Sequence, residues 1–189
     1  DFESKDFPNV KRFVDNCHKH NIKVLAYTQF TTLYYETMME EIPDLENWLA
    51  IDEHGDKRIY RDRDYFRWIP CINTPEFEEY LKKVIRIALE EGNFDGIMVD
   101  TSDAPACYCP RCVKLFREYL SEKIHDPEQQ FGILNFKHVL PPVKKPAYGE
   151  NQDPLYQQWV KFRCERVSTL YRRLYNITKS CNPEAIFSG

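Results

Sequence analysis

A short apolar run in the second half of the chain restricts the fold most strongly. Gly96-Ile-Met-Val99 is too short for a helix and gives way abruptly to polar residues, which is typical of a buried strand in a parallel sheet. A helix precedes it directly. Thr74 and Pro75 indicate the helix start, with the threonine hydroxyl predicted as its cap, and Gly92 indicates its end. A strand entered straight from a helix favours an α/β fold.

Helices and strands alternate along the chain. From the spacing of apolar residues and the capping residues, the predicted order is helix 6–21, strand 22–29, helix 74–92, strand 96–99, helix 113–125, helix 153–182 and strand 185–188. Such alternation produces right-handed βαβ units and a parallel sheet. A complete (β/α)8 barrel takes about 250 residues and eight strands. We therefore predict parallel βα units of a TIM barrel, with only part of the barrel in this chain.

The length of 189 residues suits one domain, so we expect residues 1–189 to form a single domain. Two segments interrupt the alternation. Residues 33–73 form a long insertion with a short helix near 43–49, and residues 126–153 lack periodicity and are predicted as loop. A connection as long as the first is unusual unless it covers a site. For its charge run at 58–67 alone, a solvated surface is the simpler interpretation.

The composition excludes several classes of function. The net charge of -4 and pI below 7 give no support for binding nucleic acid or an anionic membrane. No apolar run reaches the roughly 18 residues that a membrane span needs. Aromatic residues make up 14% of the chain, which suits a large core or a sugar-stacking cleft. The odd number of cysteines, seven, argues against a fully paired disulfide framework and favours a cytoplasmic protein.

Polar residues follow the predicted strands at their carboxyl ends, where α/β proteins place their ligands. Asp100 ends the buried strand and is the first candidate for a catalytic carboxyl group, with Asp103 the second. Asp100 has an equally good structural interpretation, as a cap for the following loop or a partner of an arginine. Asp103 could simply shape the turn before Pro105.

Aromatic and amide side chains near the same strand ends are candidates for sugar contacts. Tyr27 and Gln29 lie at the end of the first predicted strand, Trp68 lies near the end of the long insertion, and Tyr108 follows the buried strand. These residue types provide stacking surfaces and hydrogen bonds. Packing in the core or at its rim is the simpler interpretation of each one taken singly.

Three cysteines follow the buried strand in a Cys-x-Cys-x-x-Cys pattern, at 107, 109 and 112, and Cys71 precedes the helix that leads into that strand. Because that helix and strand run back antiparallel, we expect Cys71 and Cys107 to emerge on the same face of the sheet. Four cysteines suit tetrahedral zinc, and a closed thiolate shell is structural rather than catalytic. Free or partly oxidised thiols are the alternative. Cys109 and Cys112 alone would also fit a redox pair, although such pairs have no third thiol two residues upstream.

Three further cysteines are predicted to be small core residues. Cys17, Cys164 and Cys181 fall on apolar faces of predicted helices, where a free thiol packs like a small hydrophobic group.

The sequence resembles the barrel domain of glycoside hydrolase family 42 β-galactosidases and the related hypothetical glycosyl hydrolase barrels. The resemblance covers roughly residues 8–188 and rests on four segments taken together: Trp68–Phe77, Phe94–Asp100, Cys107–Cys112 and Trp159–Arg163. It implies a carbohydrate substrate, hydrolysis of an O-glycosyl bond, and a zinc site at the positions of the four cysteines named above. It also leaves a homo-oligomer open, since family 42 enzymes often form trimers.

The chain departs from family 42 at the position of the general acid/base. That family has an Asn-Glu pair at the strand end, whereas this chain has Val99 and Asp100, as the hypothetical glycosyl hydrolases tend to have. The family nucleophile lies on a later strand that this chain does not contain. The resemblance therefore implies a β-galactosidase-like glycoside hydrolase that needs a second carboxylate from elsewhere. The alternative is a catalytically inactive, zinc-stapled barrel that binds carbohydrate or acts as a scaffold.

Overall fold

The structure is a computed structural model that describes residues 5–61, 64–100, 105–143 and 153–189, with only the backbone of residues 64 and 65. Its helices are α1 (Phe7–Lys19), α2 (Tyr35–Glu41), α3 (Pro75–Arg86), α4 (Pro110–Lys123), α5 (Pro127–Phe131) and α6 (Pro154–Cys181). Its strands are β1 (Leu25–Gln29), β2 (Leu33–Tyr34), β3 (Ile59–Tyr60), β4 (Asp64–Trp68), β5 (Gly96–Asp100) and β6 (Ile186–Ser188).

The central sheet has three parallel strands in the order β1, β5, β6. The register pairs Leu25 with Gly96 and Gln29 with Asp100, and on the other side Gly96 with Ile186. Strands that follow one another as βα units therefore lie side by side, which confirms the predicted parallel α/β arrangement. The described residues do not close into a barrel.

The main core lies between this sheet and helices α3 and α6. The apolar side chains of β5 alternate with its exposed ones, so that Ile97 and Val99 are buried while Met98 is 45% exposed. The buried side chains that pack together here include Phe30, Phe77, Leu81, Ile85, Ile97, Val99, Leu170 and Leu174. Burial of this apolar surface is the main force that holds the two helices against the sheet.

A second, aromatic core lies apart from the sheet, between α4 and the first half of α6. Trp159 and Phe162 stack with ring centroids 5.4 Å apart, and Phe116 meets Trp159 edge-on at 4.9 Å. Tyr119 and Phe136 complete its largest side chains. The helix α6 thus spans two cores, and its start is fixed by Asp153, whose Oδ1 accepts hydrogen bonds from the N–H groups of Leu155 and Tyr156.

The long insertion contains a small antiparallel sheet that the sequence did not predict. Its strands lie in the order β2, β4, β3, with Leu33 opposite Trp68. The short helix predicted near 43–49 is a single 3-10 turn at Leu45–Trp48. Two of the three strands have only two residues each, too few to show the alternation by which strands are recognised in a sequence.

Two other predictions need correction. The segment 126–153 was predicted as loop, but it begins with helix α5, which Asp126 caps by accepting a hydrogen bond from the N–H of Gln129. Its residues 144–152 lie outside the described part of the chain. The hydroxyl of Thr74 does not cap α3; it accepts a hydrogen bond from Arg111 Nη1 at 2.8 Å instead. The helix start itself is where Thr74 and Pro75 indicated.

Asp95 ties the amino-terminal ends of the parallel strands together. Its Oδ2 accepts a hydrogen bond from the N–H of Val24 at 2.7 Å and lies 2.8 Å from Nε2 of His18, at the end of α1. Burial acts to raise the pKa of Asp95, but the Val24 N–H and the His18 ring outweigh it, so the pKa lies below its ordinary value. The carboxylate therefore joins α1, β1 and β5 in its charged form.

We expect this bond to make stability depend on acid. A carboxyl group whose folded pKa is lowered stabilises the fold above its unfolded pKa of about 4, and that contribution is lost as the pH falls through the lower folded value. Asp95→Asn should reduce the free energy of unfolding at pH 7 by on the order of 1–2 kcal/mol. Below pH 4 the free energy of unfolding should fall less steeply in the variant than in wild type. Urea unfolding of the two proteins across pH 2.5 to 7 measures this, with the exposed Asp44→Asn as the matched control. Parallel curves for wild type and Asp95→Asn would contradict the role given to Asp95.

Candidate functional site

The carboxyl ends of β1 and β5 bring three predicted site residues together. Gln29 and Asp100 are register partners at the last positions of their strands. Two positions back on β1, Tyr27 points to the same side, since side chains alternate along a strand. Its hydroxyl donates a hydrogen bond to Oδ2 of Asp100, and Nε2 of Gln29 lies 3.5 Å from the same hydroxyl. The sequence placed these residues at one sheet edge, and the structure joins them in one polar cluster.

Arg67, on β4 of the insertion, belongs to the same cluster and was not predicted. Its Nη2 donates to Oε1 of Gln29 at 2.7 Å and to Oγ1 of Thr32 at 3.1 Å. The guanidinium lies 4.3 Å from the ring centre of Tyr60, a cation–π contact. Its Nε is buried and has no hydrogen-bond partner among the described residues. The insertion thus supplies a cation to the strand ends, although its charge run reads in the sequence as solvated surface.

Tyr27 is the most accessible member of the cluster, with 56% of its surface exposed. The pKa of its hydroxyl is raised, first because it donates a hydrogen bond to the Asp100 carboxylate. Loss of the proton would place a phenolate against that carboxylate. Tyr27 is therefore a hydrogen-bond donor at neutral pH, and it orients Asp100 at an edge that solvent reaches.

A cavity of about 320 Å³ adjoins the cluster. Tyr27 and Gln29 line it from one face of β1, and Thr28 and Phe30 line it from the other. Because residues from both faces of β1 border it, the cavity must run around one edge of that strand. One edge of β1 pairs with β5, so the cavity lies at the other edge. The remainder of the wall comes from Thr32, from β2, and from α2 and α3.

The other predicted site residues lie in different surroundings. Trp68 stacks on Tyr35 with ring centroids 4.6 Å apart and packs against the main core. Tyr108 donates from its hydroxyl to the carbonyl oxygen of Pro142 and lies 5.9 Å from the ring of Trp159. Both are therefore packed against neighbouring aromatic rings. Asp103 lies outside the described residues.

The four cysteines of the predicted metal site form one buried cluster. Their sulfur atoms all lie within 4.8 Å of one another, with 3.9 Å between Cys71 and Cys109 and 3.4 Å between Cys71 and Cys112. Each of the four side chains is less than a tenth exposed. Sulfur atoms bound to zinc at 2.3 Å in a tetrahedron are about 3.8 Å apart, so this donor set fits one zinc-sized cation.

The electrostatics of the cluster also point to a cation. The pKa of Cys109 is lowered because the thiols of Cys107, Cys112 and Cys71 donate hydrogen bonds to its sulfur. The pKa of Cys112 is raised by the same crowding, with Cys107 the largest cause, and by burial. The pKa of Cys71 is lowered, first by its hydrogen bond with Cys107, and the pKa of Cys107 is raised, first by its hydrogen bond with Cys109. Without a cation the four thiols therefore do not all ionise together. A bound divalent cation allows all four thiolates to coexist.

The backbone around the cluster holds the insertion against the loop that follows β5. The N–H of Tyr108 donates to the carbonyl of Ile51 at 2.8 Å, and within the insertion the N–H of Cys71 donates to the carbonyl of Trp48 at 2.6 Å. Arg58 Nη1 donates to the carbonyl of Ala106 at 2.8 Å. Cys71 and Cys107 thus lie close together, as expected, and the bonds made by Tyr108 and Arg58 hold their two segments side by side.

The remaining cysteines are less buried than predicted. Cys164 is exposed and Cys17 and Cys181 are only partly buried. The prediction of a core position is wrong for Cys164, since it lies on the solvent side of α6. Helical spacing alone does not show which part of a long helix is covered by other elements.

Comparison with known families identifies the chain as a glycosyl-hydrolase-like domain. Residues 2–101 match the family described as hypothetical glycosyl hydrolase 6, which is more than half of the chain. The chain belongs to this family. The resemblance noted from the sequence segments is thereby confirmed at the level of a glycosyl hydrolase domain. A comparison with curated protein sequences finds no match.

Solved structures of glycosidases share this fold. A β-galactosidase from Bacillus circulans sp. alkalophilus superposes with a TM-score of 0.71 and 18% identity over 96% of this chain and 28% of its own length. An α-L-fucosidase isoenzyme 2 from Paenibacillus thiaminolyticus superposes with a TM-score of 0.57 and 17% identity, over 92% of this chain and 21% of its own length. An α-galactosidase from Lactobacillus brevis superposes with a TM-score of 0.51 and 16% identity, over 94% of this chain and 18% of its own length. The chain thus spans less than a third of the length of each of these proteins.

No helix among the described residues combines the length and the apolar composition needed to cross a bilayer.

We expect the bond between Tyr27 and Asp100 to be visible in the titration of Tyr27. Because the carboxylate raises the pKa of the hydroxyl, Asp100→Asn should lower it toward its ordinary value near 10. NMR of protein labelled at tyrosine Cζ, with the Tyr27 signal assigned from Tyr27→Phe, measures this. Tyr35 is an internal control, since Glu46 raises its pKa in the same way and should continue to do so in the variant. An unchanged Tyr27 titration would show that the bond does not form in solution.

Proposed function

We propose that this chain is part of a (β/α)8-barrel glycoside hydrolase in which Asp100 is a catalytic carboxyl group. The observation that carries the proposal is the cluster at the carboxyl end of the parallel sheet, where Tyr27 orients Asp100 at a solvent-accessible edge. Barrel enzymes build their active sites at this end of the strands. Membership of a glycosyl hydrolase family supplies the substrate class, a carbohydrate.

The partial barrel is supported by strand order and by the free edge of β1. Consecutive βα units place β1, β5 and β6 side by side, as in a barrel wall. The cavity around the other edge of β1 lies where a further strand would pair. A closed barrel has no unpaired edges, so additional strands would cover this cavity and complete the wall. The whole of residues 1–189 would then be one contiguous piece of one barrel domain.

Hydrolysis of a glycosidic bond needs two carboxyl groups, one on each side of the bond. We assign the acid/base role to Asp100, with the second carboxylate supplied by a strand beyond those in this chain. Asp103 remains the second candidate within the chain. A spacing of about 5–5.5 Å between the two groups would indicate a retaining enzyme and about 6.5–9.5 Å an inverting one. A β-galactosidase-like specificity is the first to be tested.

Sugar hydroxyls would meet several hydrogen-bonding groups around Asp100. Tyr27 and Gln29 lie at the same edge. Arg67 adds a cation there, and its Nη2 donates hydrogen bonds to the uncharged oxygens of Gln29 and Thr32. Trp68 and Tyr108 stay proposed sugar contacts on the basis of the sequence alone.

The four clustered cysteines are proposed to hold one structural Zn²⁺ ion. Four thiolates close the tetrahedral shell, so the ion supplies cross-linking energy rather than an activated water. Cys71 belongs to the insertion, whereas Cys107, Cys109 and Cys112 follow β5, so the ion would join the two segments. Reduced thiols in such a site agree with a cytoplasmic location, and a homo-oligomer remains open.

A catalytically inactive barrel that binds carbohydrate is the second candidate. The observation in its favour is Asp100 itself, whose side chain is one methylene shorter than the glutamate of family 42 and is engaged by the Tyr27 hydroxyl. A shorter, tethered carboxylate fits sugar binding as well as proton transfer.

The two candidates differ in the effect of Asp100→Asn. In the full-length protein we expect hydrolysis of nitrophenyl glycosides, β-galactosides first, to fall by about 10²- to 10⁴-fold, because the amide cannot exchange a proton with the leaving oxygen. Asp44→Asn, which changes an exposed aspartate elsewhere, should retain full activity. If wild type binds sugars in calorimetry but hydrolyses none of the glycosides, the inactive barrel replaces the enzyme.

The metal is tested separately by elemental analysis. We expect one zinc ion per chain in protein purified without chelator, and its loss in Cys112→Ser. That variant should also unfold at lower urea concentration, because the metal-binding free energy contributes to folding. Cys164→Ser, at an exposed position, is the matched control and should leave zinc content and stability unchanged. Protein that folds fully without any metal would contradict the zinc assignment.

A further inference from the structure

Asn73 lies at the junction between the cysteine cluster and helix α3. It is two residues beyond Cys71 and directly before Thr74, the residue that precedes α3. Its Nδ2 is 3.2 Å from the sulfur of Cys112, on α4. Asn73 therefore contacts one cysteine of the cluster through space and stands close to another along the chain. Nothing in the spacing of the cysteines indicates a role for it.

Arg166 determines which end of the Asn73 amide faces the sulfur. Its Nε lies 2.6 Å from Oδ1 of Asn73. A guanidinium only donates hydrogen bonds, so the amide oxygen must face Arg166. The amide N–H2 is thereby left to face Cys112. The usual ambiguity between the two ends of an asparagine amide does not arise at this site.

We propose that Asn73 is a positioning residue of the metal centre. Its amide donates a hydrogen bond to the Cys112 thiolate, and Arg166 locks the amide in that orientation. The inference rests on the proposed zinc site and goes beyond it, because it assigns the groups that hold a ligand rather than the ligands themselves.

A donor at this position acts on both the charge and the direction of the ligand. The Cys112 side chain is only 1% exposed, so water cannot supply this hydrogen bond. A metal-bound thiolate keeps negative charge that an N–H group stabilises, and a fixed donor holds the sulfur at the bonding distance. Cys107 receives a similar donor, the backbone N–H of Ile51 at 3.5 Å. The Ile51 donor is part of the backbone, whereas Asn73 can be replaced by mutation.

A second hydrogen bond joins the turn at 71–74 to α4, and in this one the donor lies on α4. Arg111, the residue before Cys112, donates to Oγ1 of Thr74, the residue after Asn73. The turn at 71–74 and the first turn of α4 therefore exchange two side-chain hydrogen bonds beside the metal site. Arg166 adds α6 to this contact. The position of Cys112 thus depends on three elements that are distant in the sequence.

The test measures metal affinity rather than activity. Zn²⁺ dissociation constants of wild type, Asn73→Ala and Arg166→Met are determined in the full chain by competition with a chromophoric chelator. Co²⁺ spectra report the number of thiolate ligands in each protein. Arg172→Met changes an exposed arginine on the same helix and is the matched control. Far-UV circular dichroism of each variant verifies the fold.

We expect Asn73→Ala to bind Zn²⁺ about 10- to 100-fold more weakly than wild type, with four thiolates still seen by Co²⁺. Arg166→Met should weaken binding in the same direction, because the amide is no longer locked, and Arg172→Met should bind as wild type does. Equal affinity of Asn73→Ala, Arg166→Met and Arg172→Met would overturn this inference and leave the zinc site intact. If Asn73→Ala does not fold, the comparison of Arg166→Met with Arg172→Met decides. Wild type that binds neither metal would remove the zinc site itself, and the role of Asn73 with it.

Discussion

Four buried sulfur atoms within 4.8 Å of one another are the tightest constraint on how the insertion packs against the segment that follows β5. Four crowded thiols in a buried site do not all ionise by themselves, and a divalent cation allows them to do so. The cluster lies where the insertion meets the segment after β5, and the backbone bond from Tyr108 to Ile51 joins the two segments there. The insertion carries Arg67 to the end of β1. The same insertion therefore supplies Cys71 to the sulfur cluster and Arg67 to the polar cluster at the strand ends.

The strands and the cysteine cluster were predictable because each leaves a local signal in the sequence. A run such as Gly96–Val99 is apolar because the strand is covered by helices on its buried face, and helix-start residues mark the elements between strands. The meeting of Cys71 with the Cys-x-Cys-x-x-Cys group followed from topology, since a helix and the strand after it run in opposite directions. The joining of Tyr27, Gln29 and Asp100 followed likewise from parallel strands ending at one edge.

What the sequence did not predict depends on partners that are distant in the chain. Thr74 carries the signature of a capping hydroxyl, but Arg111, 37 residues away, engages that hydroxyl instead. Arg67 stands in a charge run that resembles solvated surface, yet it bonds to Gln29, 38 residues earlier. The sheet of the insertion was missed for a different reason, since strands of two residues have no periodicity. Tertiary contacts decide such cases, and no local pattern records them.

The strand pair β1 and β5 uses a carboxylate at each end, with opposite consequences. At the amino-terminal end Asp95 is bonded by the backbone N–H of Val24, a partner present in almost any sequence, and by His18. At the carboxyl end Asp100 is bonded by the hydroxyl of Tyr27, a side chain that is 56% exposed. A backbone partner fixes Asp95 as a structural brace. An accessible side-chain partner leaves Asp100 at a surface where a ligand can compete for the same hydrogen bond, and this difference in partner, more than the residue type, distinguishes a candidate catalytic carboxylate from a structural one.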